Sequence, residues 1–148
     1  MIIGIGVDIV DLARFERAAL GTPALVQRLF TDAEQLDGTR TRALSSLAAR
    51  FAAKEALIKA IGDSTGMRWL DMEVVSDANR APSIQLSGPL VEIVAARGID
   101  KIHLSLSHDA GVAIAYVIAE ARTAVLSPAV FSPTVASPAI SQDHEAVG

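Results

Sequence analysis

The chain has 148 residues, no cysteine, 51% hydrophobic and 20% charged residues, and a formal net charge of −4. That length suits one domain able to bury roughly two-thirds of its unfolded surface, and the composition excludes a chain disordered over most of its length. Without cysteine there is no disulfide framework, no thiolate zinc site and no cysteine nucleophile. Asp8, Arg14, Glu55 and Lys59 interrupt the apolar runs before any reaches membrane length. The start is strand-like at once, without the basic opening of a signal peptide, so the expectation is a soluble cytoplasmic protein.

Charge is unevenly spread. Residues 1–60 hold eight Lys/Arg against seven Asp/Glu, and the remainder holds five against ten. A nucleic-acid binder shows a strongly basic face, and this balance argues against one. A locally basic first half still suits a small anionic ligand or an acidic protein partner.

In chain order, residues 2–9 (IIGIGVDI) are β-branched and punctuated by glycine, which predicts a buried strand ending near Asp8. Asp11 is a candidate N-cap for a helix carrying Leu12, Phe15, Ala19 and Leu20, with Arg14 and Arg17 alongside. Gly21-Thr22-Pro23 stops that helix and starts another through about Leu29. Thr31-Asp32-Ala33-Glu34 has the form of a capping box. The strongest helix is 41–61, rich in good helix formers, with Leu44, Leu47, Phe51 and Ile58 on one apolar stripe and Gly62 at its end. Strands are expected at Met72–Ser76 and Ser83–Leu86 around the turn Asp77–Pro82, then a helix over Gly88–Arg97. Two more strands, Lys101–His108 and Val112–Ala119, flank the hairpin-length Asp109-Ala110-Gly111. This order favours an α+β fold, with a largely antiparallel sheet packed on the long central helix. Residues 1–120 form the expected domain. From Ala121 three Ser-Pro pairs recur at five-residue spacing, which predicts an extended or disordered tail over 121–148.

The residues able to carry chemistry are few. Gly4 and Gly6 either let another backbone approach or belong to a ligand loop, though Ile9 stands where a dinucleotide fingerprint needs its third glycine. Asp8 interrupts an apolar strand, so its carboxylate must be capped, paired or metal-bound. Glu55 and Lys59 sit one helical turn apart among Ala48, Ala52 and Ala56. They form either an exposed ion pair or a reactive pair on a floor of small side chains where a ligand lies close. Arg50 and Lys54 add positive charge suited to a phosphate, and His108 stands at a strand end. Two isolated carboxylates with basic neighbours fit a Mg2+–diphosphate site better than an all-protein metal cage.

Four motifs occur in order: G-I-G-V-D-I-V-D near the start, F-T-x-x-E at Phe30–Glu34, R-F-A-A-K-E-A-x-x-K-A at Arg50–Ala60, and S-L-S-H at Ser105–His108. Together they closely resemble the holo-acyl-carrier-protein synthases, small bacterial 4′-phosphopantetheinyl transferases, over residues 1–120. The resemblance implies the fold of that family and transfer of phosphopantetheine from coenzyme A to a serine of an apo acyl carrier protein or carrier domain of a fatty acid synthase. Adenosine 3′,5′-bisphosphate would be released.

It further implies Asp8 and Glu55 as Mg2+ ligands, and Glu55, Lys59 and His108 as catalytic residues. Arg50, Lys54, Lys59, Gly62, Pro82, Ser107 and His108 would contact coenzyme A. Arg14, Arg17 and Arg28 would meet the acidic carrier, and a homotrimer would place its sites between subunits. The chain departs from the pattern after Gly62, where it reads Asp63-Ser64-Thr65-Gly66 in place of a compact Gly-Thr-Gly, and at Asp109 beside the histidine. A non-catalytic carrier-protein or nucleotide-binding module on the same fold is the alternative.

Overall fold

The computed structural model describes residues 1–121, so the expected tail lies outside the described residues apart from Ala121. Twelve helices and strands follow one another: β1 (Ile2–Asp11), α1 (Leu12–Gly21), α2 (Pro23–Leu29), α3 (Asp32–Gln35), β2 (Leu36–Asp37), β3 (Arg40–Thr41), α4 (Leu44–Ile61), β4 (Met72–Ser76), β5 (Pro82–Leu86), α5 (Pro89–Ala96), β6 (Lys101–Asp109) and β7 (Val112–Glu120). A 3-10 turn, Trp69–Asp71, precedes β4. Strands β1, β7 and β6 form an antiparallel sheet in that order, while β2–β3 and β4–β5 are separate two-stranded ribbons. The expected α+β architecture with antiparallel pairing is what forms.

Local chemistry sets the boundaries. The Asp11 carboxylate accepts the backbone N–H of Arg14 at 2.7 Å, capping α1. Thr31 and Glu34 make the reciprocal capping box, Thr31 Oγ1 accepting from Glu34 N at 3.2 Å and Glu34 Oε2 accepting from Thr31 N at 3.0 Å. The helix expected from residue 41 begins only at Leu44, because the preceding residues serve α3 instead. Arg42 donates from its backbone N to Gln35 O at 2.8 Å and from Nε to Glu34 O at 2.6 Å, and β2 and β3 pair around Gly38. At the β6–β7 turn both Ala110 and Gly111 have positive φ, 48° and 79°, the backbone a two-residue hairpin requires.

The central helix α4 lies along β1 and β7. The face it buries is not the predicted Leu44–Ile58 stripe: Leu47 is buried, but Leu44, Phe51 and Ile58 are only half-buried. Ala48, Ala52 and Ala56 are fully enclosed. The small side chains therefore make no floor for a ligand. They let the helix settle onto the sheet, where Gly4 and Gly6 complete the fit: a Cβ added at either would lie 1.9 Å from the carbonyl oxygen of Ala60 or Ala56. Of the two readings of these glycines, close backbone approach is the one realised.

Strand alternation then sorts the sheet into two faces. Gly6, Asp8 and Val10 of β1 pair with Val117, Ala115 and Ala113, on the side that α4 covers. Ile5, Val7 and Ile9 point the other way with Ile114, Tyr116 and Ile118, and no described element covers that face. Ile5, Val7, Ile9 and Tyr116 remain exposed.

Candidate active site

The covered face delivers Asp8 from β1 to the edge of α4, where Glu55 and Lys59 emerge one turn apart. Lys59 Nζ donates to Asp8 Oδ1 at 2.7 Å and to the Val7 carbonyl at 3.0 Å, with its side chain half-exposed. Glu55 is half-buried. Burial, then the neighbouring Asp8 charge, raises its pKa above the usual carboxylate value, and Lys59 offsets part of that. Asp8 and Glu55 line one cleft of about 440 Å³ with Arg14 at its rim and an apolar wall that includes Phe15, Leu29, Phe51 and Trp69. The aromatic rings are in mutual contact, with centroids 5.8 Å apart for Phe15–Phe51 and 5.4 Å for Phe51–Trp69. A carboxylate with a raised pKa at the mouth of an apolar cleft is suited to accepting a proton.

A second cleft, of about 330 Å³, brings Arg50 and His108 together with Pro82, Ser46 and Arg80. It shares no lining residue with the first. Next to it a groove of about 650 Å³ adds Arg42 to Arg50, Arg80 and His108. Arg50 is 7% exposed and donates from Nη1 to Ser46 Oγ at 2.8 Å, while its buried Nε has no hydrogen-bond partner. Burial and the neighbouring Arg42 charge lower its pKa. A guanidinium lining the cleft beside three further basic side chains is an arrangement that favours a phosphate.

Arg80 and Arg42 escaped the sequence reading. Arg80 sits at the tip of the β4–β5 turn with φ 66°, held there by Asp77, whose Oδ1 accepts from Asn79 N and Ala81 N at 2.8 Å each. A lone arginine in a turn carries no periodic signal. Arg42 falls within the helix expected from residue 41, where its spacing of two turns before Arg50 is the available clue.

The other expected contacts are dispersed. Lys54 is a correction: it has no exposed surface and spends its ammonium on Glu34, Leu29 and Trp69, so it does not reach a ligand. Ser107 pairs with Ile114 on the open face of the sheet, opposite to that of His108. Gly62 caps the far end of α4 at φ 86°, about 18 Å along the axis from Arg50. Arg17 and Arg28 are exposed on α1 and α2 but do not line the cleft that Arg14 borders. Loop 62–66 is organised by Asp63, whose Oδ1 accepts from Thr65 N at 2.9 Å and Thr65 Oγ1 at 2.8 Å.

Comparison with known proteins gives the family of the chain. Residues 4–117 match the model of the 4′-phosphopantetheinyl transferase superfamily. A holo-acyl-carrier-protein synthase of Clavibacter sepedonicus is 59% identical over 120 residues, covering 81% of this chain and 97% of the relative. Among solved structures, the Neisseria meningitidis holo-acyl-carrier-protein synthase superimposes with a TM-score of 0.73 at 34% identity, covering 81% of this chain and 99% of that one. The Helicobacter pylori enzyme, solved in complex with coenzyme A, gives 0.67 at 34% identity over 78% and 99%. No described helix is long and apolar enough to cross a membrane. The fold, the order of the motifs and this identity over four-fifths of its length establish that the chain belongs to the 4′-phosphopantetheinyl transferase superfamily.

Proposed function

We propose that this protein transfers 4′-phosphopantetheine from coenzyme A to a serine of an apo acyl carrier protein. The observation that carries the reading is the pair Asp8 and Glu55 lining an apolar cleft, with Lys59 held on Asp8, in a chain of this family. The serine oxygen attacks the phosphorus bearing the pantetheine arm. The bond from that phosphorus to the bridging oxygen breaks, adenosine 3′,5′-bisphosphate leaves, and Glu55 takes the serine proton, directly or through a water.

Catalysis of this kind rests on alignment and charge neutralisation rather than on a covalent enzyme intermediate. Lys59 stands ready to leave Asp8 for a phosphate oxygen. Arg50 and His108, with Arg42 and Arg80, are assigned to the phosphates of the nucleotide end. Arg14, with Arg17 and Arg28 on the adjoining surface, is assigned to the acidic carrier.

Asp8 and Glu55 fit a divalent ion. Their mutual repulsion contributes to the raised pKa of Glu55, and no third acid or histidine joins them among the described residues, leaving positions for water and phosphate oxygens. That donor set is the one Mg2+ favours. When bound, Mg2+ supplies neutralisation of the charge that develops on the departing phosphate.

The acidic cleft and the cationic cleft of one chain share no residue, and the exposed Ile5, Val7, Ile9 and Tyr116 offer a self-association surface. Both features support a trimer in which coenzyme A bridges the cationic cleft of one copy and the acidic cleft of the next. The test is release of adenosine 3′,5′-bisphosphate from coenzyme A, followed by chromatography. Release that requires an apo carrier supports transfer. Release without carrier makes the protein a hydrolase, and tight coenzyme A binding with no release makes it a binding module.

A further inference from the structure

Lys54 carries a charge that has no exposed surface and no part in the reaction above. Its ammonium has three protons, and all are spent inside the protein: on Leu29 O at 2.6 Å, Glu34 Oε2 at 2.7 Å and Trp69 O at 3.1 Å. Glu34 is equally enclosed, and both its oxygens are engaged. Its Oε1 accepts from Val74 N at 3.0 Å, and its Oε2 also accepts from Thr31 N at 3.0 Å. One ion pair therefore ties the end of α2, the start of α3, the 3-10 turn and β4 to the middle of α4.

Burying two charges is costly, and well-packed apolar residues of similar volume would serve stability as well or better. What the pair supplies is geometry. The two carbonyls that Lys54 grips belong to Leu29 and Trp69, and both residues line the apolar cleft that Glu55 enters. The Phe30 ring lies 5.1 Å from the same ammonium, and Phe51, against Trp69, continues the wall. Lys54 immediately precedes Glu55 on the helix, so one short stretch of α4 holds both the cleft wall and the proposed base.

We infer that Lys54 and Glu34 are positioning residues, which fix the Leu29–Trp69 wall against Glu55 and thereby set the fit of the carrier side of the reaction. The wall shares its cleft with Arg14, assigned to the carrier, and lies apart from the cationic cleft assigned to the nucleotide end of coenzyme A, so the two residues act on the acceptor end of the site. The inference rests on the transferase reading and goes beyond it in naming what aligns the acceptor.

Trp69 is the only tryptophan in the chain, so its fluorescence reports the wall directly. Lys54→Met alone strands the Glu34 charge and is expected to unfold the protein; the informative variant is Lys54→Met with Glu34→Gln, which removes both charges together. The folded double variant should show Trp69 more open to acrylamide quenching and KM for the carrier raised, so that kcat/KM for the carrier falls by up to about a hundredfold, the scale of an ångström-sized misplacement, with affinity for adenosine 3′,5′-bisphosphate retained. A merely structural role would lower the folded fraction, and with it kcat, in proportion to the denatured component seen by circular dichroism, while leaving KM and the quenching of the remaining folded protein unchanged, and that result overturns the inference. A parallel loss of bisphosphate affinity overturns it too, by placing Lys54 at the nucleotide. If the double variant does not fold, Glu34→Asp, which keeps both charges but shortens the pair, carries the same readouts. Wild-type protein that modifies no carrier defeats the transferase reading itself; a working wild type beside a variant with unaltered KM defeats only the inference.

Discussion

Gly6→Ala should damage fold and site together, and its size follows from the backbone contact. The added Cβ would lie 1.9 Å from Ala56 O and 2.8 Å from Ala60 N, both main-chain atoms that no rotamer change can move. Relieving the overlap requires α4 and β1 to separate by about 1 Å, which loosens the enclosed Ala52, Ala56 and Val117; overpacking of this kind costs about 3 kcal/mol or somewhat more. For a domain of this size that is about a 10 °C fall in melting temperature. The urea midpoint should fall with an unchanged slope. Asp8 lies two residues along the same face and Lys59 meets it at 2.7 Å from the displaced helix, so kcat in the surviving folded protein should drop about tenfold or more. Gly21→Ala is the control, since nothing lies within 4 Å of that position and its φ is not in the left-handed region. A Gly6→Ala protein with the control's stability and full kcat would refute the close-packing argument.

Glu55→Gln should abolish transfer yet leave chelator-treated protein at least as stable as wild type at neutral pH, because partial burial and the Asp8 charge disfavour the carboxylate as an anion. The sign is fixed by the raised folded-state pKa: wild-type stability is fullest below the ordinary glutamate value of about 4.3 and declines as pH rises through the raised value, and the variant should lack that decline in urea titrations. Arg50→Met should weaken binding of adenosine 3′,5′-bisphosphate by about tenfold in calorimetry, removing the charge-assisted bonds of the cationic cleft. Arg14→Glu should raise KM for the carrier far more than KM for coenzyme A; an equal rise in both would remove Arg14 from the carrier face. Equal mixtures of unfolded and co-refolded Glu55→Gln and Arg50→Met chains, assayed with coenzyme A below its KM, should exceed the mean of the two variants refolded separately by up to about a quarter of wild-type activity if sites form between copies, and should only match that mean if each chain is self-sufficient.

Much of this was legible in the sequence because its signals are local. Asp11, Thr31 with Glu34, Gly62 and the Ala110–Gly111 turn marked element ends that the structure reproduces. The motif around Glu55 and Lys59 lies on a helix as its composition implied, and Asp8 is paired, one of the outcomes its place in an apolar strand left open, though its partner Lys59 was not legible. What failed depended on tertiary surroundings. A helical wheel marks the large residues of α4 as its buried face, yet the sheet lies against the alanines because β1 offers glycines there. Lys54 reads as another phosphate-binding cation until Glu34, twenty residues earlier, is seen to enclose it. Arg80 reaches the cationic cleft only through the β4–β5 turn, and alternation along β6 separates Ser107 from His108.

The central claim is group transfer to a carrier, and the most direct measurement is the intact mass of an apo acyl carrier protein after incubation with this protein, coenzyme A and Mg2+, beside a chelator control. The account predicts a gain of one phosphopantetheine group, located on a serine, that disappears with chelator. An unmodified carrier across several apo carriers, with coenzyme A bound but intact, would contradict it.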